Sequence, residues 1–294
     1  MTDSAARPPR PARSESREAL ELQSIRAQHP ELAAAVDMHL ELLALQRRIQ
    51  GRVTLPMLDL SADTLRRHQV EARPLLRFED IPLDLSDLRL TVRTTADVLR
   101  RFGALEQADY DKAQSLGRDM QLLTTVGNWY REAAERQLAV AGVTSVSAKS
   151  PGDETALGQV IALAMRPFLS RCAEVLQQRP ELANWTHSHC ALCGGEPDLA
   201  VITPSAERHL ICGRCSLRWK FESLTCPYCR NSDRSRITSF ATTDGKYRVY
   251  ACDVCQRYLK AYDGRRATRP VMPIVDSVAT LPLDAAAMQR GYTS

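Results

Sequence analysis

The sequence predicts an α+β fold in which an all-α helical bundle comes first and two small cysteine-containing modules follow it. Apolar residues recur at helical spacing from about residue 18 to residue 182. After His187 the pattern changes to short alternating runs that are typical of strands. This second part also holds eight of the nine cysteines. We therefore expect a helical domain over 18–184, a first metal module over 185–224, and a second metal module with a C-terminal extension over 225–294.

Composition is that of an ordinary globular protein, with 44% hydrophobic and 25% charged residues in a chain of 294. Residues 1–17 show no hydrophobic period and are rich in Pro, Arg and Ser, which predicts a disordered arm. No apolar run opens the chain, and no later segment reaches the ~18 apolar residues of a membrane span. We expect a cytoplasmic protein, in which thiols stay reduced and paired cysteines hold metal or do redox chemistry.

Four amphipathic helices stand out in the first part of the chain. Their expected ranges are Glu31–Gln50, Ser86–Phe102, Arg118–Ala141 and Glu154–Gln178. In the third helix the inward positions would be Met120, Leu123, Val126, Trp129 and Ala133. Short connections between such helices indicate a bundle. The ninth cysteine, Cys172, lies alone on the fourth helix and is expected to be a small buried hydrophobe.

Strands are expected over 199–203, 209–212, 217–221, 236–240 and 247–252, with one more after the last cysteine. Four Cys-x-x-Cys knuckles interrupt these strands. Their cysteines are Cys190 and Cys193, Cys212 and Cys215, Cys226 and Cys229, and Cys252 and Cys255.

The spacing of the knuckles predicts two tetrahedral sulfur sites. A two-residue separation lets one tight turn point both sulfurs at one ion, and 18 and 22 residues separate the knuckles within each pair. The order knuckle, strand, strand, knuckle, strand occurs twice, which favours sequential pairing and leaves interleaved pairing as an alternative. Four thiolates leave no open coordination position, so such sites are structural or one-electron. His187, His189 and His209 lie nearby but are not needed as ligands.

Positive charge is concentrated around the knuckles. From His187 to Pro270 there are 14 Lys and Arg against 8 Asp and Glu, whereas the whole chain has a net charge of only +4. Such an excess is typical of a surface that meets nucleic acid or an acidic protein, and it would also offset the charge of buried thiolates.

At these knuckles the chain resembles the FdhE family of formate dehydrogenase accessory proteins. The resemblance is carried by the runs CALCGGEPDLAVI, RHLICGRCSLRWKF, LTCPYC and ACDVCQRYLKAYDG, and by the closing stretch VDSVATLPLDAAAMQRGY. The eight knuckle cysteines match the four motifs of the family one for one, although a Gly follows the knuckle only at Cys193.

The resemblance implies a fold, a cofactor and a partner. Members of the family have a helical N-terminal domain and rubredoxin-like knuckle domains, and they are associated with iron at the cysteine sites. They are cytoplasmic and contact the catalytic subunit of respiratory formate dehydrogenases before its export. We therefore expect two iron ions, with zinc as the alternative, a formate dehydrogenase catalytic subunit as partner, and no enzymatic activity.

Other functions fit parts of the same pattern. A zinc-ribbon protein that binds nucleic acid would explain the basic excess and the aromatic residues near the knuckles. A thiol redox enzyme or sensor would use the same cysteines, although the sequence offers no βαβ setting for it. The sequence gives no indication about self-association.

Overall fold

The computed structural model describes residues 16–140, 155–177, 182, 184–267 and 269–293, with only the backbone of 133–140 included. Within these ranges, helices occupy the first part of the chain and the extreme C-terminus, and a mixed sheet lies between them. The predicted α+β class is confirmed. Residues 1–15 of the predicted arm and the predicted helix ends at Ala141, Glu154 and Gln178 lie outside the described residues. The prediction that the arm reaches residue 17 is wrong, because Ser16 caps the first helix and Arg17 begins it.

Seven helices form the first part of the described chain. They are α1 (Arg17–Gln28), α2 (Ala33–Gln50), α3 (Ala62–Glu71), α4 (Leu85–Arg101), α5 (Gln107–Leu116), α6 (Leu122–Val140) and α7 (Ala156–Ala173). Four begin at side-chain caps, because the oxygens of Ser16, Ser61, Asp84 and Thr155 accept hydrogen bonds from the first-turn N–H groups. Helix α4 ends at Arg101, and Gly103 just beyond it has a φ of 72° that favours glycine.

The core of the bundle forms where α4 packs against α2, α5 and α7. Its centre consists of completely buried apolar side chains, among them Ile49, Leu88, Val92 and Phe168. The predicted inward residues of α6 are only partly correct. Val126 and Trp129 are buried, whereas Met120 is 93% exposed and Leu123 is 39% exposed. The reason is that α6 begins at Leu122, so Met120 precedes the helix and Leu123 falls on its outer face.

Six strands form one sheet in the order β3-β2-β1-β6-β5-β4. The strands are β1 (Pro197–Ile202), β2 (Arg208–Cys212), β3 (Arg218–Phe221), β4 (Ile237–Ala241), β5 (Tyr247–Cys252) and β6 (Arg257–Asp263). Each half is an antiparallel meander, and the halves join where β1 and β6 run parallel, with Leu199 opposite Lys260. One sheet therefore spans both predicted metal modules, and their division at residue 224 stays a prediction.

Two short helices, α8 (Pro273–Ala279) and α9 (Leu281–Gln289), close the described chain. A proline in the first turn of each supplies a backbone angle suited to helix initiation. Leu283 and Ala287 of α9 pack on a face of the sheet that includes Leu199 and Val249. Helix α8 packs against α1, so the C-terminal extension connects the sheet to the start of the bundle.

In the described part of the chain, no helix has both the length and the apolar character that crossing a membrane requires.

Candidate metal centre

The four knuckles share one backbone turn. The residue after the second cysteine of each knuckle has a positive φ between 57° and 69°, and its N–H donates to the carbonyl of the first cysteine at 2.9–3.0 Å. These residues are Gly194, Ser216, Arg230 and Gln256. The turn folds back on itself and brings both sulfurs of a knuckle to one side. Only one of the four positions is glycine, so the glycine signal in the sequence marks only one of them.

The first cluster contains Cys190, Cys193, Cys212 and Cys215, whose sulfurs all lie within 4.8 Å of one another. The Sγ–Sγ distance is 3.5 Å from Cys190 to Cys215 and from Cys193 to Cys212. A disulfide would need about 2.05 Å. With metal–sulfur bonds of about 2.3 Å, the edge of a tetrahedron measures about 3.8 Å. The sulfurs are therefore spaced for an ion at their centre.

The second cluster contains Cys226, Cys229, Cys252 and Cys255, also within 4.8 Å of one another. The distance between the sulfurs is 3.7 Å for Cys226 and Cys255, and 3.6 Å for Cys229 and Cys252. Both groups follow the sequential pairing, and the interleaved alternative is wrong. The donor set fits zinc and iron equally, because both metals accept four thiolates.

The first cluster lies in the core that the sheet shares with the helical bundle. Cys190, Cys193 and Cys215 are completely buried, and Cys212 is 2% exposed. The segment after α3 pairs with the first knuckle, because the N–H groups of Leu75 and Leu76 donate to the carbonyls of Ala191 and Leu192 at 2.9 Å. The helices thus enclose this cluster.

Two arginines add contacts between the helices and the second knuckle of this cluster. The guanidinium of Arg166 on α7 donates to the carbonyl of Gly213 at 2.7 Å. The guanidinium of Arg214 lies 4.0 Å from the ring centre of Trp129 on α6, which is a cation–π contact. Helical and cysteine-containing parts are therefore held together by polar contacts as well as by burial.

The second cluster is more open. Cys226 is 5% exposed and Cys252 is 2% exposed, whereas Cys229 and Cys255 are partly exposed. Next to them, Val254 is 53% exposed. Solvent or a partner molecule therefore reaches two cysteine residues of the second cluster, whereas the cysteines of the first cluster are buried.

Within each cluster the pKa of one thiol is lowered while the pKa values of others are raised. Burial raises the pKa of the Cys190 and Cys215 thiols well above the usual range. In the second cluster, a hydrogen bond from the Cys255 thiol lowers the pKa of Cys226 to about 5. Because a metal binds thiolates, metal uptake must release the thiol protons.

The nearby histidines bond to the backbone of α3 and its end instead of joining a cluster. Nε2 of His187 lies 2.7 Å from the Gln69 carbonyl, and Nε2 of His189 lies 2.8 Å from the Ala72 carbonyl. Burial lowers the pKa of His189 to about 4, so its ring is neutral and donates through Nε2. His209 faces Glu207 at 3.7 Å. In the described ranges, both candidate groups consist of cysteine alone.

Cys172 lies apart from both clusters, on α7. It is completely buried, and burial raises the pKa of its thiol to about 12. The protonated thiol thus packs as a small apolar group, as the sequence predicts.

Three curated relatives resemble this chain in sequence. A protein FdhE homolog of Shewanella oneidensis is 25% identical over 195 residues, which are 65% of this chain and 63% of the relative. A protein FdhE homolog of Haemophilus ducreyi is 27% identical over 135 residues, 45% of this chain and 44% of the relative. Protein FdhE of Escherichia coli K12 is 27% identical over 107 residues, 35% of this chain and 34% of the relative. The chain thus spans less than two thirds of the length of these relatives.

A solved structure extends the likeness to nearly the whole fold. The crystal structure of the FdhE protein from Pseudomonas aeruginosa matches with a TM-score of 0.57, covering 94% of this chain and 92% of that chain at 20% identity. At this identity the match speaks for the fold alone. No family model matches the chain.

Proposed function

We propose that the chain is a member of the FdhE family and that it is a non-enzymatic accessory protein for a respiratory formate dehydrogenase. It binds the catalytic subunit of that enzyme in the cytoplasm and supports its maturation. The observation that carries the proposal is the pair of four-sulfur clusters with Sγ–Sγ distances of 3.5–3.7 Å. Closed sites of this kind have no open position at which to activate a substrate.

The eight knuckle cysteines are the proposed metal ligands. Cys190, Cys193, Cys212 and Cys215 hold one ion, and Cys226, Cys229, Cys252 and Cys255 hold the other. Iron in a four-thiolate site accepts or gives up one electron with little movement of its ligands, because soft anionic sulfurs suit both oxidation states. The protein supplies the two tetrahedra, the burial around the first and the access to the second.

The metal is tested by elemental analysis and a visible absorption spectrum of protein purified without added metal and without oxygen. Two iron atoms per chain and ferric–thiolate bands after oxidation support the proposal. Two zinc atoms and no visible bands contradict the iron assignment but leave the accessory role in place.

The accessory role is tested in cells that lack their own copy of this protein. The wild-type chain should restore formate dehydrogenase activity, and Cys255→Ser should fail to do so. The matched control is Cys172→Ala, which removes a cysteine outside both clusters and should restore activity. Full activity with a variant that elemental analysis shows to be metal-free would contradict a metal-dependent role.

A further inference from the structure

A cleft of about 880 Å³ lies between the helical bundle and the first cluster. One wall is formed by α2 and α7, and the other by the turn from β2 to β3 and by the start of α8. Cys215 lines the cleft, so its floor reaches the first cluster. The volume lies at the upper end of the range of ligand pockets and far exceeds what one small anion fills.

Basic side chains exceed acidic ones in this cleft. Among the described residues that line it are four arginines, Arg47, Arg166, Arg171 and Arg218, and two glutamates, Glu18 and Glu174. Arg47 forms an ion pair with Glu18, and Arg171 forms one with Glu174. Both carboxylates are therefore already used, and the other two arginines have no acidic partner among the residues that the structure describes.

The two remaining guanidiniums stand on opposite walls. Arg166 donates to the Gly213 carbonyl, but its Nε is buried without a hydrogen-bond partner in the described part of the chain. The side chain of Arg218, on β3, makes no hydrogen bond or ion pair with any described residue, although its backbone pairs with Ile211 of β2. Arg218 is exposed to solvent, and desolvation by neighbouring parts of the protein still lowers the pKa of its guanidinium. Each guanidinium keeps donor groups for an incoming carboxylate.

Apolar groups line the cleft beside these charges. Val271, Pro273 and Ile274 lie in the cleft lining and are partly exposed, although Ile274 also packs on the small core between α1 and α8. A ligand with carboxylates alone would leave this apolar lining exposed to water. A peptide that carries both carboxylate and apolar side chains would cover the apolar lining and reach both guanidiniums.

We propose that this cleft binds an extended acidic and apolar segment of the client protein. Carboxylates of the segment pair with Arg166 and Arg218, and its apolar side chains cover Val271, Pro273 and Ile274. The identity of the occupant rests on the proposed function, whereas the chemistry of the cleft does not. Bound there, the segment would lie directly over the buried first cluster.

The test is binding of a short fluorescent peptide of alternating Glu and Leu to the full-length, metal-loaded protein, followed by fluorescence anisotropy. Arg218→Glu should weaken binding at least about fivefold, because it replaces an attraction at an exposed position on the cleft wall by a repulsion. Arg234→Glu is the matched control, since Arg234 is exposed and outside the cleft, and it should leave binding unchanged. A peptide with Gln in place of Glu should not bind.

Several results would overturn this inference. They are no binding of the acidic peptide, equal binding by Arg218→Glu, or displacement of the peptide by a single-stranded oligonucleotide that binds more tightly. Loss of the first metal ion in Arg218→Glu, measured by elemental analysis, would also overturn it, because Arg218 would then only balance the thiolate charge.

A cell assay separates this inference from the proposed function. If wild type restores formate dehydrogenase activity and Arg218→Glu restores it equally, the docking site is wrong and the accessory role holds. If wild type restores nothing, the accessory role is wrong, while peptide binding in solution still decides the chemistry of the cleft.

Discussion

The two cysteine clusters share the same local backbone geometry but differ in burial. In both, the knuckles end in a left-handed residue, and the strands follow in the same order. The first cluster is part of the core that includes Trp129 and Phe168, whereas two cysteines of the second are partly exposed. The local motif therefore positions the sulfurs, whereas the neighbouring elements determine whether a site is buried or accessible.

The difference in burial assigns different tasks to the two sites. An ion in the first cluster would stabilise the junction of bundle and sheet, since metal-binding energy becomes folding energy when the site forms only in the folded chain. An ion in the second cluster would be open to exchange or to electron transfer, because solvent reaches Cys229 and Cys255.

Removing one ligand from each cluster should show most clearly whether the two clusters contribute differently to stability. We expect Cys193→Ser to destabilise the chain by about 5 kcal/mol or more, which is comparable to the total stability of a domain, so the helices should unfold. Cys255→Ser should lose one metal ion and keep the helical bundle. Far-UV circular dichroism during thermal unfolding measures the first effect, and elemental analysis measures the second. Equal unfolding of both variants would contradict the division of roles.

A buried carboxylate holds the C-terminal extension on the second half of the sheet. Asp276 is completely buried and accepts hydrogen bonds from Tyr247 Oη at 2.7 Å, Arg269 at 2.7 Å and the Met272 N–H at 2.6 Å. Asp276→Ala should cost about 3–5 kcal/mol, because it removes the buried charge partner of a mostly buried guanidinium, which keeps only its longer ion pair with Glu21 at 3.3 Å among the described residues.

Chemical denaturation measures this loss, and both metal ions should remain bound. Ser277→Ala on the same helix is the control and should change stability by less than about 0.5 kcal/mol. If Asp276→Ala released an ion while the sheet stayed folded, α8 would have to support a cluster directly.

The two clusters should also differ in the rate at which a chelator removes their metal. Treatment with a chromogenic chelator should release metal in two phases, with the second cluster at least about tenfold faster, because a chelator can reach its exposed sulfurs. The fast phase should be absent from Cys255→Ser and present in Cys172→Ala. Release in a single phase from the wild-type protein would show that burial does not separate the two sites.

Substitutions at the left-handed residue of the knuckle turn should change stability in the same way in both clusters. Gly194→Ala should destabilise the chain by about 1 kcal/mol, because a left-handed φ costs an L-residue about that much. Ser216→Gly and Gln256→Gly should stabilise it by about 0.5 kcal/mol, once the larger entropy of the unfolded glycine is included. Thermal unfolding with intact metal content measures all three. If Gln256→Gly destabilised the chain instead, the exposed turn would have to rearrange.

A small energetic coupling is expected between the two clusters. Arg257 follows the last knuckle and donates to Glu196, beside the first knuckle, at 2.7 and 3.2 Å. Its guanidinium also lies 3.7 Å from the ring centre of Tyr228. A double-mutant cycle with Glu196→Ala and Arg257→Ala should give a coupling of about 0.5–1 kcal/mol in urea unfolding. A coupling of zero would mean that the two clusters are energetically independent.

Much of the helical part was predictable from local patterns. The expected range Glu31–Gln50 nearly coincides with α2, and Ser86–Phe102 nearly coincides with α4. Helices α3, α5, α8 and α9 gave no usable signal, because they are short and their apolar residues are few or evenly distributed. The inward assignment of Met120 failed because periodicity does not locate a helix start without a cap residue.

By itself, the sequence predicted the four knuckles and the strands around them, since a knuckle turn and a strand pattern involve only a few residues; it favoured the sequential pairing of the knuckles, which the structure decided. The tertiary structure alone decided that β1 pairs with β6, that helices enclose the first cluster, and that a cleft lined by four arginines opens beside it. These features arise from contacts between residues far apart in the chain. No local pattern encodes such contacts, because they depend on how whole elements bury their apolar faces together.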